Sequence, residues 1–126
     1  MRFEKFVKFG ACAALLCAAL PAQAMSVAEF IAKAHALKAR GLFAMGSPDI
    51  KLLQDEMAGI RTAYRADLAR QAAAHQPPHS CPPPAGQAKM TSDEFLAELE
   101  RVPVAQRGMS MRTAFYAMMK RRYPCR

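Results

Sequence analysis

Apolar residues recur along this chain at steps of three and four, and that spacing predicts helices. Phe30, Ile31, Ala34 and Leu37 form one stripe over residues 27 to about 40, and Gly41 supplies a natural helix stop. Leu42, Phe43, Ala44 and Met45 then make an apolar connector. Ser47 and Pro48 stand as N-cap and first helical residue of a second segment. Its stripe of Ile50, Leu53, Met57, Ile60, Tyr64 and Leu68 carries the helix to about residue 74. The opposite side holds Lys51, Asp55, Arg61, Arg65 and Arg70, a mixed solvated face. A third helix is expected over residues 92 to about 101, with Phe95, Leu96 and Leu99 inward and Pro103 interrupting it. Ser110 caps a fourth, whose apolar face is Met111, Phe115, Met118 and Met119, and Pro124 after Tyr123 ends it. No stretch alternates at period two long enough to argue a strand, so the expected fold class is all-α, a small four-helix domain.

Two of these helices open on nearly the same phrase. Met25-Ser26-Val27-Ala28-Glu29-Phe30 and Met90-Thr91-Ser92-Asp93-Glu94-Phe95 both read Met-[Ser/Thr]-x-x-Glu-Phe. The hydroxyl residue and the Glu three places on are the two halves of a capping box. Met before the cap and Phe at the fourth helical position are the two halves of a hydrophobic staple. The likeness stops after one turn, so it marks helix starts and not a repeat.

The first 24 residues have a different character. Arg2, Lys5 and Lys8 form a basic start, Gly10 to Leu20 is uncharged and apolar, and Pro21 precedes a small-x-small Ala22-Gln23-Ala24. That order is expected of a cleavable secretory signal peptide, cut after Ala24. The apolar run is about half of what a membrane-spanning helix needs. The expectation is therefore a periplasmic or secreted protein with no stable membrane anchor after cleavage. Residues 25–126 would form a single helical domain: a helix pair over 27–74, a Pro-rich loop over 75–89 and a helical hairpin over 90–126.

Export changes what the composition means. The 126-residue chain has 18 Lys+Arg against 10 Asp+Glu, a net charge of +8; without the leader it is about +6. A basic balance invites an anionic partner, and export argues against that partner being nucleic acid. Cys12 and Cys17 leave with the leader, so of four cysteines two remain, Cys81 and Cys125. Two cysteines in an exported domain most simply form one disulfide. The bridge would close a loop of about 45 residues, which chain-entropy reasoning values at about 4 kcal/mol. Residues 75–84 hold five prolines, so they read as an extended surface loop pinned at Cys81. The two C-terminal helices would then be a clasped hairpin lying on the long second helix.

Candidate chemistry is sparse. His75, His79 and Cys81 fall close together, but zinc needs a fourth ligand or a water and this spacing follows no zinc motif. Both histidines are expected on a solvent-facing loop. Ser80 neighbours His79, yet adjacent side chains do not make a nucleophile and base. Asp93 and Glu94 serve a helix start, and Glu98 and Glu100 fall on different sides of a helix. The expectation is a protein without enzymatic activity, cofactor or metal. Lys120-Arg121-Arg122, with Arg112 and Arg126, is the densest basic cluster; cations there complement a helix C-terminus and also suit an acidic partner.

The segment 81–125 resembles the Rap/Tai family of type VI secretion immunity proteins. The resemblance rests on Cys81-Pro82, the amphipathic Phe95, Leu96 and Leu99 with Pro103 after them, then Ala114, Phe115 and the closing Tyr123-Pro124-Cys125. It covers under half of the chain beyond the leader. It departs from the family in having no cysteine between Met25 and Ser80. The resemblance implies a small helical, often dimeric periplasmic protein that binds and blocks a peptidoglycan-cleaving amidase effector. The surface expected to meet the partner is the rigid loop, through His75, Pro77, Pro78, His79, Pro82, Pro83 and Pro84. Two other classes fit an exported helical chain, a small stress chaperone opened by acid and an envelope structural protein held on anionic polymers.

Overall fold

Residues 24–126 are described by a computed structural model. The leader expected at residues 1–24 lies outside the described residues except for Ala24. Four helices follow in order: α1 (Val27–Arg40), α2 (Pro48–Ala73), α3 (Ser92–Glu100) and α4 (Met111–Arg122). Short 3-10 segments cover Gly41–Gly46 and Val104–Gln106. The described residues contain no strand, and the all-α fold follows the sequence expectation.

Each helix begins on a side-chain cap. The Oγ of Ser26, Ser47 and Ser110 accept from the backbone N–H of Glu29, Asp49 and Thr113 at 3.2, 3.3 and 3.1 Å. Thr91 and Glu94 complete a reciprocal box: Glu94 N–H donates to Thr91 Oγ1 at 3.2 Å and Thr91 N–H donates to Glu94 Oε2 at 2.7 Å. The backbone bond from Thr91, then its hydroxyl, holds the Glu94 carboxyl below the usual carboxylate range.

At α1 only the Ser26 half of the box forms. The first two N–H groups of α1 are taken up by the chain before α4. Val27 N–H donates to Met109 O at 3.0 Å, Ala28 N–H to Arg107 O at 2.9 Å, and Met111 N–H returns to Met25 O at 2.8 Å. A helix start has free N–H groups to satisfy, and here a docked backbone satisfies those of the first two helical residues. The phenylalanines of the two phrases meet. Phe30 and Phe95 pack edge to face with centroids 5.8 Å apart, joining the first turns of α1 and α3.

The core draws Val27, Phe30 and Ile31 from α1, Ile60 and Tyr64 from α2, Leu96 and Leu99 from α3, and Met111, Ala114, Phe115, Met118 and Met119 from α4. Met25 is buried with them. The packing partners differ from the expected hairpin lying on α2. Helix α1 packs against α2, α3 and α4, and α2 packs against α4. The central element is thus α1, and its polar side is also latched: Lys33 to Asp49 at 3.1 Å, His35 to Glu100 at 2.5 Å and Lys38 to Asp93 at 2.9 Å. Exposed pairs of this kind add little stability each, so the apolar contacts decide the arrangement.

Length explains why α2 is incompletely covered. Its 26 residues span about 39 Å, whereas the nine residues of α3 span about 14 Å. Ile60 and Tyr64 are buried, while Ile50, Leu53, Met57 and Leu68 on the same stripe are half-buried. Gly41, at φ 54, turns the chain out of α1 into the 3-10 segment. That segment leaves Leu42, Phe43 and Met45 exposed at 85, 88 and 79 % and buries only Ala44.

The contrast yields a test of where stability resides. Leu99→Ala is expected to cost about 2–5 kcal/mol, and Leu42→Ala less than about 0.5 kcal/mol. Denaturant melts of the two variants check the difference; equal midpoints would contradict this packing.

Candidate functional site

Helix α2 ends in a double bond pattern that sets the loop's direction. His75 N–H donates to Ala72 O at 3.1 Å and Gln76 N–H to Gln71 O at 2.9 Å, with His75 at φ 53. This is a Schellman stop with histidine in the left-handed position that glycine usually fills. His75 is exposed and serves this turn.

Beyond it the loop is not uniformly solvent-facing, which corrects the sequence expectation. His75, Pro77, Pro78 and Pro84 are exposed, His79, Pro82 and Pro83 are half-buried, and Ser80 is 1 % exposed. The inward residues are individually held. Gln71 Oε1 accepts from His79 N–H at 2.9 Å, Arg65 donates to Pro83 O at 3.1 Å, and Cys81 N–H donates to Tyr123 O at 2.8 Å. The Cys81–Cys125 disulfide forms as expected, with Cα atoms 5.1 Å apart.

Ser80 is drawn in by Tyr64. The Tyr64 hydroxyl and Ser80 Oγ lie 2.5 Å apart, and His79 Nδ1 lies 3.2 Å from the same oxygen. Around them the aromatic rings meet edge to face: Tyr64 with Phe115 at 5.5 Å, Tyr64 with Tyr116 at 5.4 Å, and His79 with Tyr116 at 5.4 Å. The hydroxyl of Ser80 is enclosed, so it works as an internal hydrogen-bonding group that anchors the loop.

A second polar cluster borders this one. Tyr116 donates its hydroxyl proton to Asp67 Oδ2, Arg112 donates to the same oxygen at 3.1 Å, and Arg70 pairs with Oδ1. The Tyr116 bond, followed by the charges of Arg70 and Arg112, holds the Asp67 carboxyl below its ordinary range. Burial, followed by the bond to Asp67, pushes the Tyr116 phenol up. The expected basic cluster is dispersed by such pairings. Arg112 belongs to Asp67, Arg121 lies 3.7 Å from Glu98, and Arg122 donates to the Tyr123 hydroxyl at 3.3 Å, leaving Lys120 exposed. Met118 and Met119 are core residues.

An apolar groove of about 870 Å3 lies among the helices. Phe30, Ala34 and Leu37 of α1 form its base. Ile50, Leu53 and Met57 of α2 face Phe95 and Leu96 of α3, while Met118 and Met119 come from α4. Ala85, Gly86, Ala88 and Met90 bring the end of the loop to the same groove, and Lys38, Arg61, Arg65 and Asp93 bring charge to it. The sequence signal for it was present but unread: the α2 stripe is longer than its partners can cover. The Asp67 cluster gave no comparable signal, because Tyr116 lies 49 residues away in sequence.

Among the described residues no three of His, Cys, Asp and Glu gather as metal ligands, and His75, His79 and Cys81 each have other structural tasks. No described helix is long and apolar enough to cross a membrane. No protein-family model, curated protein or solved structure matches the chain.

Asp67 gives a pH prediction. Its carboxyl is held low in the folded chain, so its contribution is present above the unfolded value near pH 4 and is lost as pH falls through the folded value. Asp67→Asn is expected to lower stability at pH 7 and to flatten the decline below about pH 4. Melting curves of both proteins across pH 2–7 check this, and parallel pH profiles would contradict it.

Proposed function

We propose that this chain is an exported, non-enzymatic binding protein of the immunity type, which engages and blocks a peptidoglycan amidase effector through the loop at residues 75–89. The observation that carries the reading is how the loop is held. One end leaves a Schellman stop at His75, Ser80 is locked under Tyr64, and Cys81 is bridged to Cys125. Pro77 and Pro78 are presented outward between these anchors, and Pro84 just beyond them. A loop already ordered before binding loses little conformational freedom on association, which is what an inhibitor of a preformed enzyme cleft needs.

The likeness of segment 81–125 to Rap/Tai proteins supports this reading, and the disulfide suits an oxidising compartment such as the periplasm. The absence of any cysteine between Met25 and Ser80 marks where the chain differs from that family. Dimerisation, which the resemblance implies, would leave the partner loop free only if the contact lies elsewhere on the domain.

The test pairs a binding assay with a protection assay. The purified protein is titrated with an amidase effector encoded beside it, and cells carrying that effector in the periplasm are scored for survival. Complex formation, loss of amidase activity and survival are expected. Pro77→Gly with Pro78→Gly is expected to weaken binding about tenfold through loop ordering cost, with a modestly lower melting temperature from the freer unfolded chain. Failure to protect against the effector, or unaltered affinity in the double variant, would overturn the assignment. Dye binding and dispersity that change between pH 7 and pH 3 would favour an acid-opened chaperone instead. Binding to peptidoglycan that disappears at high salt would favour an envelope role.

A further inference from the structure

The groove between α2 and α3 carries an electrostatic imbalance that its apolar walls do not explain. Arg61 and Arg65 lie four residues apart on α2 and both line the groove. Like charges at this helical spacing repel one another. The other basic residues of the same helix are each paired with a carboxylate: Arg70 with Asp67 and Lys51 with Asp55. Across the groove Lys38 pairs with Asp93. Neither Arg61 nor Arg65 forms an ion pair with a carboxylate among the described residues. Arg65 is nevertheless positioned, with one N–H on Pro83 O at 3.1 Å and its guanidinium 5.9 Å from the Tyr64 ring centroid.

We propose that this groove binds a long-chain fatty acid, its hydrocarbon along the apolar base and its carboxylate between Arg61 and Arg65. An anion there relieves the repulsion within α2, and two guanidiniums suit a carboxylate through charge-assisted bonds. The volume of about 870 Å3 falls in the range of small-molecule sites. From Ile50 to Arg65 the α2 wall runs about 22 Å, which gives an extended acyl chain room along the helix. Met57 and Met90, both half-buried on the groove wall, offer unbranched, polarizable surface that adapts to a flexible chain. Tyr64 also lines the groove, but its hydroxyl is engaged by Ser80. A hydrocarbon asks for no hydrogen bond there, whereas polar side chains of a peptide would.

This site is separate in its chemistry from amidase binding, so either idea can fail alone. The experiment uses the chain from residue 25 onward, purified with its disulfide intact, and titrates it with palmitate at submicellar concentration by calorimetry. Palmityl alcohol serves as the uncharged comparison. Saturable one-to-one binding of palmitate is expected, with the alcohol about fivefold weaker. Arg61→Glu, at an exposed position, is expected to weaken palmitate about fivefold or more and to leave the alcohol unchanged. Met57→Trp, which fills the groove, is expected to abolish both while the melting temperature holds. No saturable binding, equal affinity for acid and alcohol, or indifference to Arg61→Glu would each overturn the proposal. So would tight binding of an acidic amphipathic peptide that palmitate cannot displace.

Discussion

Three separated parts of the chain meet on Tyr64. Its ring lies against Phe115 and Tyr116 of α4, and its hydroxyl meets Ser80 of the loop. With 1 % of the residue exposed, that hydroxyl has no water to bond and must find a protein partner. Ser80 is that partner, and by coming inward it fixes its neighbours on both sides. His79 is brought against Tyr116 and Cys81 against Tyr123 O. The disulfide then acts on a loop that the hydrogen bond has already placed. Covalent closure and polar burial fall on adjacent residues, so each lowers the freedom that the other must remove. Loss of the Tyr64 hydroxyl would leave Ser80 buried with the His79 ring as its one polar neighbour, which is costlier than the loss of one average hydrogen bond.

Around this junction α1 works as the common support. Its first turn is docked on backbone carbonyls of 107 and 109, and its face reaches the three other helices. A central helix of 14 residues with two partners of nine and twelve cannot cover a 26-residue helix along its length. The groove is a geometric consequence of that mismatch. Its apolar lining comes from a stripe that continues past the point where covering helices end.

The elements themselves were legible because each signal was local. Ser26, Ser47, Thr91 and Ser110 start helices within one turn of their own sequence, and the two cysteines after residue 24 admit one pairing with each other. Helical periodicity names the face that a helix buries but not what covers it, so α1 could not be recognised as central. The capping phrase at Ser26 was incomplete for the same reason: the carbonyls that accept from Val27 and Ala28 N–H lie about 80 residues away, at Met109 and Arg107. Proline content correctly excluded a helix over 75–84, but it hid Ser80, whose burial depends on a tyrosine 16 residues earlier. Asp67 carries no mark of its own in the sequence and became the acceptor of the Tyr116 phenol only through tertiary packing.

Arg65 joins the two surfaces on which function has been argued. Its bond to Pro83 O makes it part of the loop's anchorage, and its place on α2 makes it part of the groove. A guanidinium has five N–H donors, so holding a carbonyl does not prevent it from meeting an anion. Charge drawn to the groove would therefore further restrain the Arg65 side chain, and with it the carbonyl that positions Pro83. The residues from Ala85 to Met90 reinforce this connection, because they both continue the loop and line the groove. Loop and groove thus share one side chain and one short segment.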